Sequence, residues 1–437
     1  MDTVVIILAA GLGTRMKSAL PKVLHPLAGT PMLNHLISAC KPVFDRIVVV
    51  TGPDMPNVAA SAAPHQVVVQ HERHGTADAA MAAAALFGTG IVTIIYGDNP
   101  LLASDTLAQL GRQLSAGTIG MSLLATRPTD PGTFGRIVGA AGFATRIVEY
   151  ADASEQERTI DLCNAGGFTA HADDMLRWLK QIGNRNSKGE YYLTDIVKVA
   201  NADARPVAVV EAPWDECRGV NSRAELAVAE AVIQARLRRA ALDAGVTLIA
   251  PETVFLSADT MIAPDVTIEP HVVCGRGVSI ASGAVIRAFS HLEGCTIGTG
   301  AIIGPYARIR PGSVVDEAAH VGNFVELKAT HLGAGAKANH LTYLGDTTIG
   351  ARSNIGAGTI TCNYDGQSKH RTTVGSNVFV GSNVALVAPI SVGDGAVIGA
   401  GSVITSEVEA GALAIGRARQ IDKPGGAARY KRAKDKS

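Results

Sequence analysis

The chain has no CxxC spacing, no excess charge of either sign and no basic leader ahead of its apolar start. Its six cysteines, Cys40, Cys163, Cys217, Cys274, Cys295 and Cys362, are scattered over 437 residues. That scatter argues against a zinc cluster or a disulfide framework and for reduced thiols in a cytoplasmic protein. Lysine plus arginine and aspartate plus glutamate both total 39, which leaves no nucleic-acid footprint and no membrane-surface patch across the whole chain. Only the tail 429–436 is basic, and a short terminal charge run is ordinarily solvated. The apolar opening MDTVVIILAAG is short and runs straight into a glycine-rich turn. It reads as a buried strand, not as a signal peptide or an inserted membrane span.

What the sequence does have is a period. Val374, Val380, Leu386, Val392, Ile398 and Ile404 are apolar at every sixth position, and glycine follows four of them. Neither a helix nor an ordinary strand repeats every six residues. Hexapeptides of this kind predict a parallel β-helix, in which each forms one side of a triangular coil and turns its apolar residue inward. The same phase is read upstream at Ile297, Ile303, Ile309, Val315, Val321 and Leu327, so the repeat occupies the chain from about residue 246 onward.

The first half alternates differently. Residues 4–8, 47–51, 67–70, 91–96 and 121–125 are strand candidates, and 30–40, 76–86 and 104–114 are helix candidates. Strand and helix in alternation predict a mostly parallel, doubly wound α/β sheet. Residues 222–244 are rich in Ala, Glu, Arg and Leu at helical spacing, with Gly245 as a stop. The expected organisation is an α/β domain over 1–222, a linker helix over 223–245 and a β-helix with its tail over 246–437.

Chemistry enters directly after the first strand, in Leu8-Ala9-Ala10-Gly11-Leu12-Gly13-Thr14-Arg15-Met16. A glycine-rich turn at the carboxyl end of the first parallel strand lets backbone N–H groups approach a nucleotide. Arg15 and, after Leu20-Pro21, Lys22 add two fixed positive charges suited to a triphosphate. Gly-x-Gly alone is weak evidence; the longer spacing Gly-x-Gly-Thr-Arg-Met-x(4)-Pro-Lys resembles the signature of sugar-nucleotide pyrophosphorylases. Asp98, in Tyr96-Gly97-Asp98, follows the apolar run 91–95 and so lies at a strand's carboxyl edge. A lone aspartate there is often only a turn former. Mg²⁺, however, needs only one or two protein oxygens beside substrate phosphates, and Asn221 is the partner read for it.

Further stretches extend the likeness: 134–137, 147–149, 189–195 and 219–221, then 307–312, 320–326, 340–346 and 354–359. Over nearly its whole length the sequence resembles the bifunctional N-acetylglucosamine-1-phosphate uridyltransferase/glucosamine-1-phosphate acetyltransferase family of bacterial cell-envelope synthesis. The resemblance implies a Rossmann-like nucleotidyltransferase domain joined to a left-handed parallel β-helix. It implies acetylation of glucosamine 1-phosphate by acetyl-CoA, then UMP transfer from UTP to N-acetylglucosamine 1-phosphate with Mg²⁺. It also implies a homotrimer with sites between subunits.

Carried over residue by residue, the resemblance assigns Leu8, Ala9, Ala10, Gly11, Gln70, Gly75 and Thr76 to the uridine and Arg15 and Lys22 to the phosphates. Tyr96, Gly97, Asp98, Gly135, Glu149, Asn164 and Asn221 would line the sugar side, with Asp98 and Asn221 on the metal. In the second half His340 would be the base, Arg310 and Lys328 would hold the sugar phosphate, and Tyr343 and Asn354 the sugar. Residues 361–373 interrupt the repeat, as a functional loop does, and there Asn363 and Tyr364 would orient amine and thioester. Ala357, Ser382, Ala400 and Arg417 would line an acetyl-CoA groove. Without the resemblance, a histidine in a repeat coil reads as surface or packing, as His291, His320 and His331 do. Three positions depart from the family pattern: Leu12 where a basic residue is frequent, Asp78 where histidine is, and Ala165 where threonine is usual. Two rival readings are a pyrophosphorylase with an inert β-helix platform and a noncatalytic subunit of the translation-factor exchange type. The first leaves His340, Asn363, Tyr364 and Lys328 unexplained, and the second leaves Arg15, Lys22, Asp98 and Asn221.

Overall fold

A computed structural model of the chain describes residues 2–114 and 117–434. Of the basic tail, 426–434 form a helix, and 435 and 436 lie outside the described residues. The chain divides into two compact units between Ala235 and Arg236, a point inside the helix Arg223–Asp243.

The first unit is built on a nine-stranded sheet. Its strands lie in the order Gln66–Val69, Arg46–Thr51, Thr3–Leu8, Ile91–Tyr96, Cys163–His171, Met121–Thr126, Val207–Glu211, Phe143–Val148 and Arg136–Ala140. The first four pair in parallel, giving the Rossmann-like core that the alternation of strand and helix predicts. Both faces of these strands are buried. Val4, Ile6, Val48, Val50, Val92 and Ile94 point into one core, and Val5, Ile7, Ile47, Val49 and Ile95 into the other. That is why the strands read as unbroken apolar runs. The strand Cys163–His171 inserts antiparallel between Ile91–Tyr96 and Met121–Thr126, and the hairpin 136–148 extends the far edge, also antiparallel. None of these three elements was legible as a strand in the sequence. The helix expected over 30–40 begins at Met32, after Pro31, and that over 76–86 breaks into Thr76–Ala82 and a 3-10 turn, Ala84–Leu86.

The second unit is a left-handed parallel β-helix of three sheets holding ten, nine and eight short strands. All twelve apolar residues named from the hexapeptide spacing are inside, none more than 6% exposed. Each such side chain contributes about 1.5–3 kcal/mol through burial. The single phase expected along the repeat is not kept. Inward residues step by five, not six, from Leu292 to Ile297, Leu327 to Leu332 and Leu344 to Ile349, because the turn before each later strand is one residue shorter. The loop between Ile360–Cys362 and Thr372–Val374 resets the count again.

One corner of this prism carries left-handed backbone at His271, Phe289, Tyr306, Phe324 and Leu341, with φ between 50° and 60°. The four rings stack on successive coils at centroid distances of 4.8, 4.9 and 5.2 Å. Phe289, Tyr306 and Phe324 remain about half exposed, and Leu341 is 63% exposed. Among the described residues no helix is long and apolar enough to cross a membrane.

Candidate functional sites

In the first unit, the chain passes from Thr3–Leu8 outward to Arg46–Thr51 and Gln66–Val69, then crosses to Ile91–Tyr96 on the other side of the first strand. Open α/β sheets bind ligands outside the carboxyl ends of the strands at such a reversal. Leu8 is in register with Tyr96, and the Gly97 N–H donates to the Leu8 carbonyl at 2.9 Å. The turn 8–11 and the stretch 96–98 therefore stand side by side. Ala9 and Ala10 are buried, while Gly11 is exposed with open space over its α-carbon. Gly13 has φ +63°, and a methyl group there would lie 2.5 Å from Lys22 Cβ. Glycine is what allows the two chain segments to close and Lys22 to point across the turn.

The Lys22 ammonium donates to Asp98 Oδ2 at 2.5 Å and to Asn221 Oδ1 at 2.9 Å. Asn221 is carried there by two backbone devices. The Val220 N–H donates to the Asp98 carbonyl at 2.9 Å. Asn221 N–H and Ser222 Oγ both donate to Glu225 Oε2, at 2.7 and 3.1 Å, and Glu225 N–H returns to Ser222 Oγ at 3.2 Å. The Ser222 hydroxyl thus caps the start of the helix Arg223–Asp243, and Glu225 holds the Asn221 backbone against it. The two expected metal ligands thus converge on one cation. Among the described residues there is no cluster of three His, Cys, Asp or Glu side chains able to hold a metal, so a divalent ion held by this pair would need further oxygens from phosphates and water. Arg15 is exposed on the 3-10 turn Thr14–Met16.

The residues expected on the sugar side also meet. Asn164 N–H donates to the Gly135 carbonyl at 2.9 Å. The α-carbon of Gly135 faces Glu149, whose Oε1 accepts from Thr194 Oγ at 3.0 Å. Gly166, at φ +78°, lies under the Tyr96 ring, where any side chain would collide. Burial raises the Glu149 pKa against the opposing Thr194 hydrogen bond. Burial, reinforced by Glu149 and Asp98, pushes the Tyr96 hydroxyl well above its usual range. Thr76 Oγ accepts from Leu193 N–H at 2.9 Å, which ties the stretch 189–195 to the start of the helix Thr76–Ala82. Gln70 is 4% exposed, and its side-chain nitrogen donates to Asp78 Oδ2 at 2.7 Å and to the Gly75 carbonyl at 3.2 Å. Arg73 Nε donates to the Ala10 carbonyl at 3.1 Å, a contact with no sequence signal. Leu12 is 59% exposed and Ala165 is buried.

In the second unit, His340 ends the strand Lys337–His340, and its Nδ1 lies 2.8 Å from Asn323 Oδ1, one coil below and in register. An amide oxygen can only accept, so Nδ1 carries the hydrogen and the Nε2 lone pair is left free. Above His340 the same corner continues. Gly358 N–H donates to the His340 carbonyl at 3.4 Å, Asn383 N–H to Ala357 at 2.7 Å and Gly401 N–H to Ser382 at 2.8 Å. The Gly401 α-carbon faces the Arg417 side chain. Ala357, Ser382, Ala400 and Arg417 therefore climb one column of coils that starts at His340.

Beside it, Lys328 Nζ donates to both oxygens of Asp346, at 2.9 and 2.8 Å, and Asn363 Nδ2 donates to Asp346 Oδ2 at 2.5 Å. Burial works against the charged Asp346 carboxylate, but the Lys328 and Asn363 hydrogen bonds outweigh it and hold its pKa below the ordinary value. The hydrogen bond to Asp346 correspondingly raises the pKa of Lys328. Gly345 lies under the Tyr343 hydroxyl and Asn363, so any side chain there would separate them. Arg310 Nη1 donates to Glu326 Oε1 at 2.9 Å. A pocket of about 180 Å³ lined by Ala329, Asp346, Lys369, His370 and Arg371 adjoins this cluster.

Two expected residues stand apart. Asn354 is in register with Lys337, three residues before His340. Among the described residues no hydrogen bond joins its side chain to Arg310, Lys328, Tyr343 or His340. Tyr364 is 60% exposed and donates to the Gly366 carbonyl of its own loop at 2.6 Å. Of the other histidines, His331 pairs with Asp316 at 2.8 Å, and burial lowers the pKa of His320, whose Nε2 has no partner in the structure.

Residues 5–160 match the MobA-like NTP transferase domain model, and 371–406 match the hexapeptide repeat of succinyl-transferase. The chain is 67% identical over 436 residues to the bifunctional protein GlmU of Acidiphilium cryptum, covering 100% of both chains. It is 63% identical over 425 residues to that of Gluconacetobacter diazotrophicus, covering 96% of this chain and 92% of the relative. It is 60% identical over 431 residues to that of Granulibacter bethesdensis, covering 98% and 96%. At this identity over essentially the whole of both units, the chain belongs to the GlmU family, and it is a glucosamine-1-phosphate acetyltransferase and N-acetylglucosamine-1-phosphate uridyltransferase that makes UDP-N-acetylglucosamine.

Proposed function

We propose that the two reactions are divided between the two units, with uridylyl transfer in the first and acetyl transfer in the second. The observation that carries this reading is the convergence of Asp98 and Asn221, far apart in sequence, on the Lys22 ammonium at 2.5 and 2.9 Å. Two oxygens already arranged around a positive charge fit a Mg²⁺ completed by substrate phosphates. Bound there, the ion neutralises charge on the phosphates. Around it, Arg15 and Lys22 face the triphosphate of UTP. The backbone of 8–11 with Gln70, Gly75 and Thr76 holds the uridine. Tyr96, Gly97, Gly135, Glu149 and Asn164 hold N-acetylglucosamine 1-phosphate so that its phosphate oxygen attacks the α-phosphorus in line and pyrophosphate leaves. No covalent enzyme intermediate is needed, because catalysis consists of positioning and charge neutralisation.

For acetyl transfer, His340 Nε2 takes the proton of the glucosamine 1-phosphate amine as its nitrogen attacks the thioester carbonyl of acetyl-CoA. The nitrogen–carbon bond forms, the carbon–sulfur bond breaks, and coenzyme A leaves. Asn323 keeps the proton on Nδ1 at 2.8 Å, so the acceptor nitrogen stays free. Arg310 and Lys328 hold the phosphate, Tyr343 and Asn354 the sugar, and Asn363 and Tyr364 the reacting groups. Ala357, Ser382, Ala400 and Arg417 receive acetyl-CoA along their shared column. The separation of Asn354 from Lys328 and Tyr343 within one chain fits a site completed by a second subunit of a cytoplasmic homotrimer. The exposed stack Phe289, Tyr306, Phe324, ending at Leu341 beside His340, gives such a subunit an apolar seat. Sedimentation should return three times the chain mass; a monomer at assay concentration would remove the shared site.

The division is tested by supplying acetyl-CoA, glucosamine 1-phosphate, UTP and Mg²⁺ and resolving each product. Chelating the metal should stop UDP-N-acetylglucosamine formation while N-acetylglucosamine 1-phosphate continues to accumulate at an undiminished rate. Loss of both products on chelation would overturn the assignment of the metal to the first unit alone.

A further inference from the structure

We infer that Asp78 makes Gln70 a one-way reader of the nucleobase, and so sets the preference of the first unit for uracil over cytosine. The inference rests on the proposal that Gln70 faces the base. A primary amide has two N–H donors on one end and one acceptor oxygen on the other. Both donors of Gln70 are taken, by Asp78 Oδ2 at 2.7 Å and by the Gly75 carbonyl at 3.2 Å. Both partners are oxygens that can only accept. Turning the amide over would set Oε1 against a carboxylate and a carbonyl at hydrogen-bond distance, inside a site where Gln70 is 4% exposed. Repulsion between unpaired acceptors in so buried a position is costly. The orientation is therefore dictated by its neighbours, and Oε1 is the only function Gln70 has left to offer a ligand.

Uracil and cytosine differ where that matters. Uracil N3 carries a hydrogen and donates, whereas cytosine N3 is bare and accepts. A glutamine free to turn would satisfy either, offering Oε1 to one and its NH₂ to the other. A glutamine held by Asp78 pairs with N3–H and repels a bare N3. Asp78 is well placed to hold it. It stands in the first turn of the helix Thr76–Ala82, where a carboxylate is favoured by the helix dipole, and that turn is fixed by the Ala77 N–H bond to the Tyr191 carbonyl at 2.9 Å. Gly75, at φ +132°, brings its carbonyl to the same amide, and a side chain at that position would strike the Tyr191 backbone at 2.4 Å. Asp78 need not touch the nucleotide; it acts through Gln70 and is a positioning residue.

The test compares kcat/KM for UTP and CTP in the full-length protein with N-acetylglucosamine 1-phosphate and Mg²⁺, with acetyl transfer in the same preparation reporting an intact chain. Asp78→Asn can present either a donor or an acceptor to Gln70, and Asp78→Ala presents neither. Both should lower the UTP to CTP ratio roughly tenfold, since a misoriented hydrogen-bonding group forfeits the rejection that a correctly paired site achieves. The change should appear mainly in KM, rising for UTP and falling for CTP, and Asp78→Glu should recover part of the ratio. An unchanged ratio in both Asp78→Asn and Asp78→Ala overturns the inference. Gln70→Ala separates the two levels of the argument. If it leaves the UTP KM and the ratio untouched, the assignment of Gln70 to the base fails and the inference falls with it. If it collapses the ratio while the Asp78 variants keep it, only the orienting role of Asp78 is lost.

Discussion

An Asp98→Ala protein should lose more than about a hundredfold of its uridylyl transfer and keep its acetyl transfer. Removing even a residue that supports a metal ligand costs roughly 10–100-fold, and Asp98 is the only charged member of the pair that converges on the Lys22 ammonium. Two effects add. The cation site loses its one negative charge, and Asn221 alone is a neutral donor too weak to hold a divalent ion. Lys22 also loses the partner that fixes its direction, since its other contact is the 2.9 Å hydrogen bond to Asn221. Mn²⁺ binding followed by electron paramagnetic resonance should weaken in parallel with the activity. Asp98→Asn, which keeps the shape and one oxygen, should fall between wild type and alanine. Acetyl transfer is the internal control, because His340, Lys328 and Asp346 belong to the other unit. Equal loss of both activities in a folded Asp98→Ala protein would show that Asp98 is a structural residue.

Much of this architecture was legible because a few local rules were strong. The run Ile91–Tyr96 is a strand with the bounds read from the sequence, since it is buried on both faces and ends at Gly97. The twelve apolar residues of the hexapeptide repeat are all inside for an equally simple reason: each side of the prism has room for one of them. What failed was counting. The turns before Cys295–Ile297 and His331–Leu332 are one residue shorter than their neighbours. A phase carried along the sequence therefore slips, although every coil still stacks in register. The strand Cys163–His171 escaped notice because Asn164, Gly166 and Gly167 interrupt its apolar pattern. Gly166 is there to admit the Tyr96 ring, so a functional requirement overrode the local signal.

The sites divide in the same way. Residue types tied to a motif could be named, and the structure sets several of them side by side: Lys22 with Asp98 and Asn221, Gly135 with Glu149 and Asn164, Lys328 with Asn363 through Asp346. The partners that decide what those residues can do were not visible, because they are neighbours only after folding. Asn323 is 17 residues from His340 along the chain and one coil away in space. Asp346 was part of a matching stretch, but nothing in its sequence position says that it clamps Lys328 and Asn363 together. Asp78 was visible only as a departure from the family pattern. Its meaning comes from the strand end at Gln70 and the helix at Thr76 lying against each other.

His340→Ala should abolish most acetyl transfer, by about 10²–10⁴-fold, the usual loss when a general base is removed. Uridylyl transfer from supplied N-acetylglucosamine 1-phosphate should be intact. Asn323→Ala offers a finer test. It leaves the imidazole in place but frees Nδ1 from its 2.8 Å partner, so the ring can place its hydrogen on Nε2 and lose the acceptor the amine needs. Its rate should fall less than that of His340→Ala. If His340→Ala acetylates within a few-fold of wild type, His340 is a packing residue and the base must be sought at His320 or Tyr364. His320 is the weaker alternative, because its Nε2 is enclosed without a partner, whereas the free nitrogen of His340 lies on an exposed corner at the foot of the column proposed to receive acetyl-CoA.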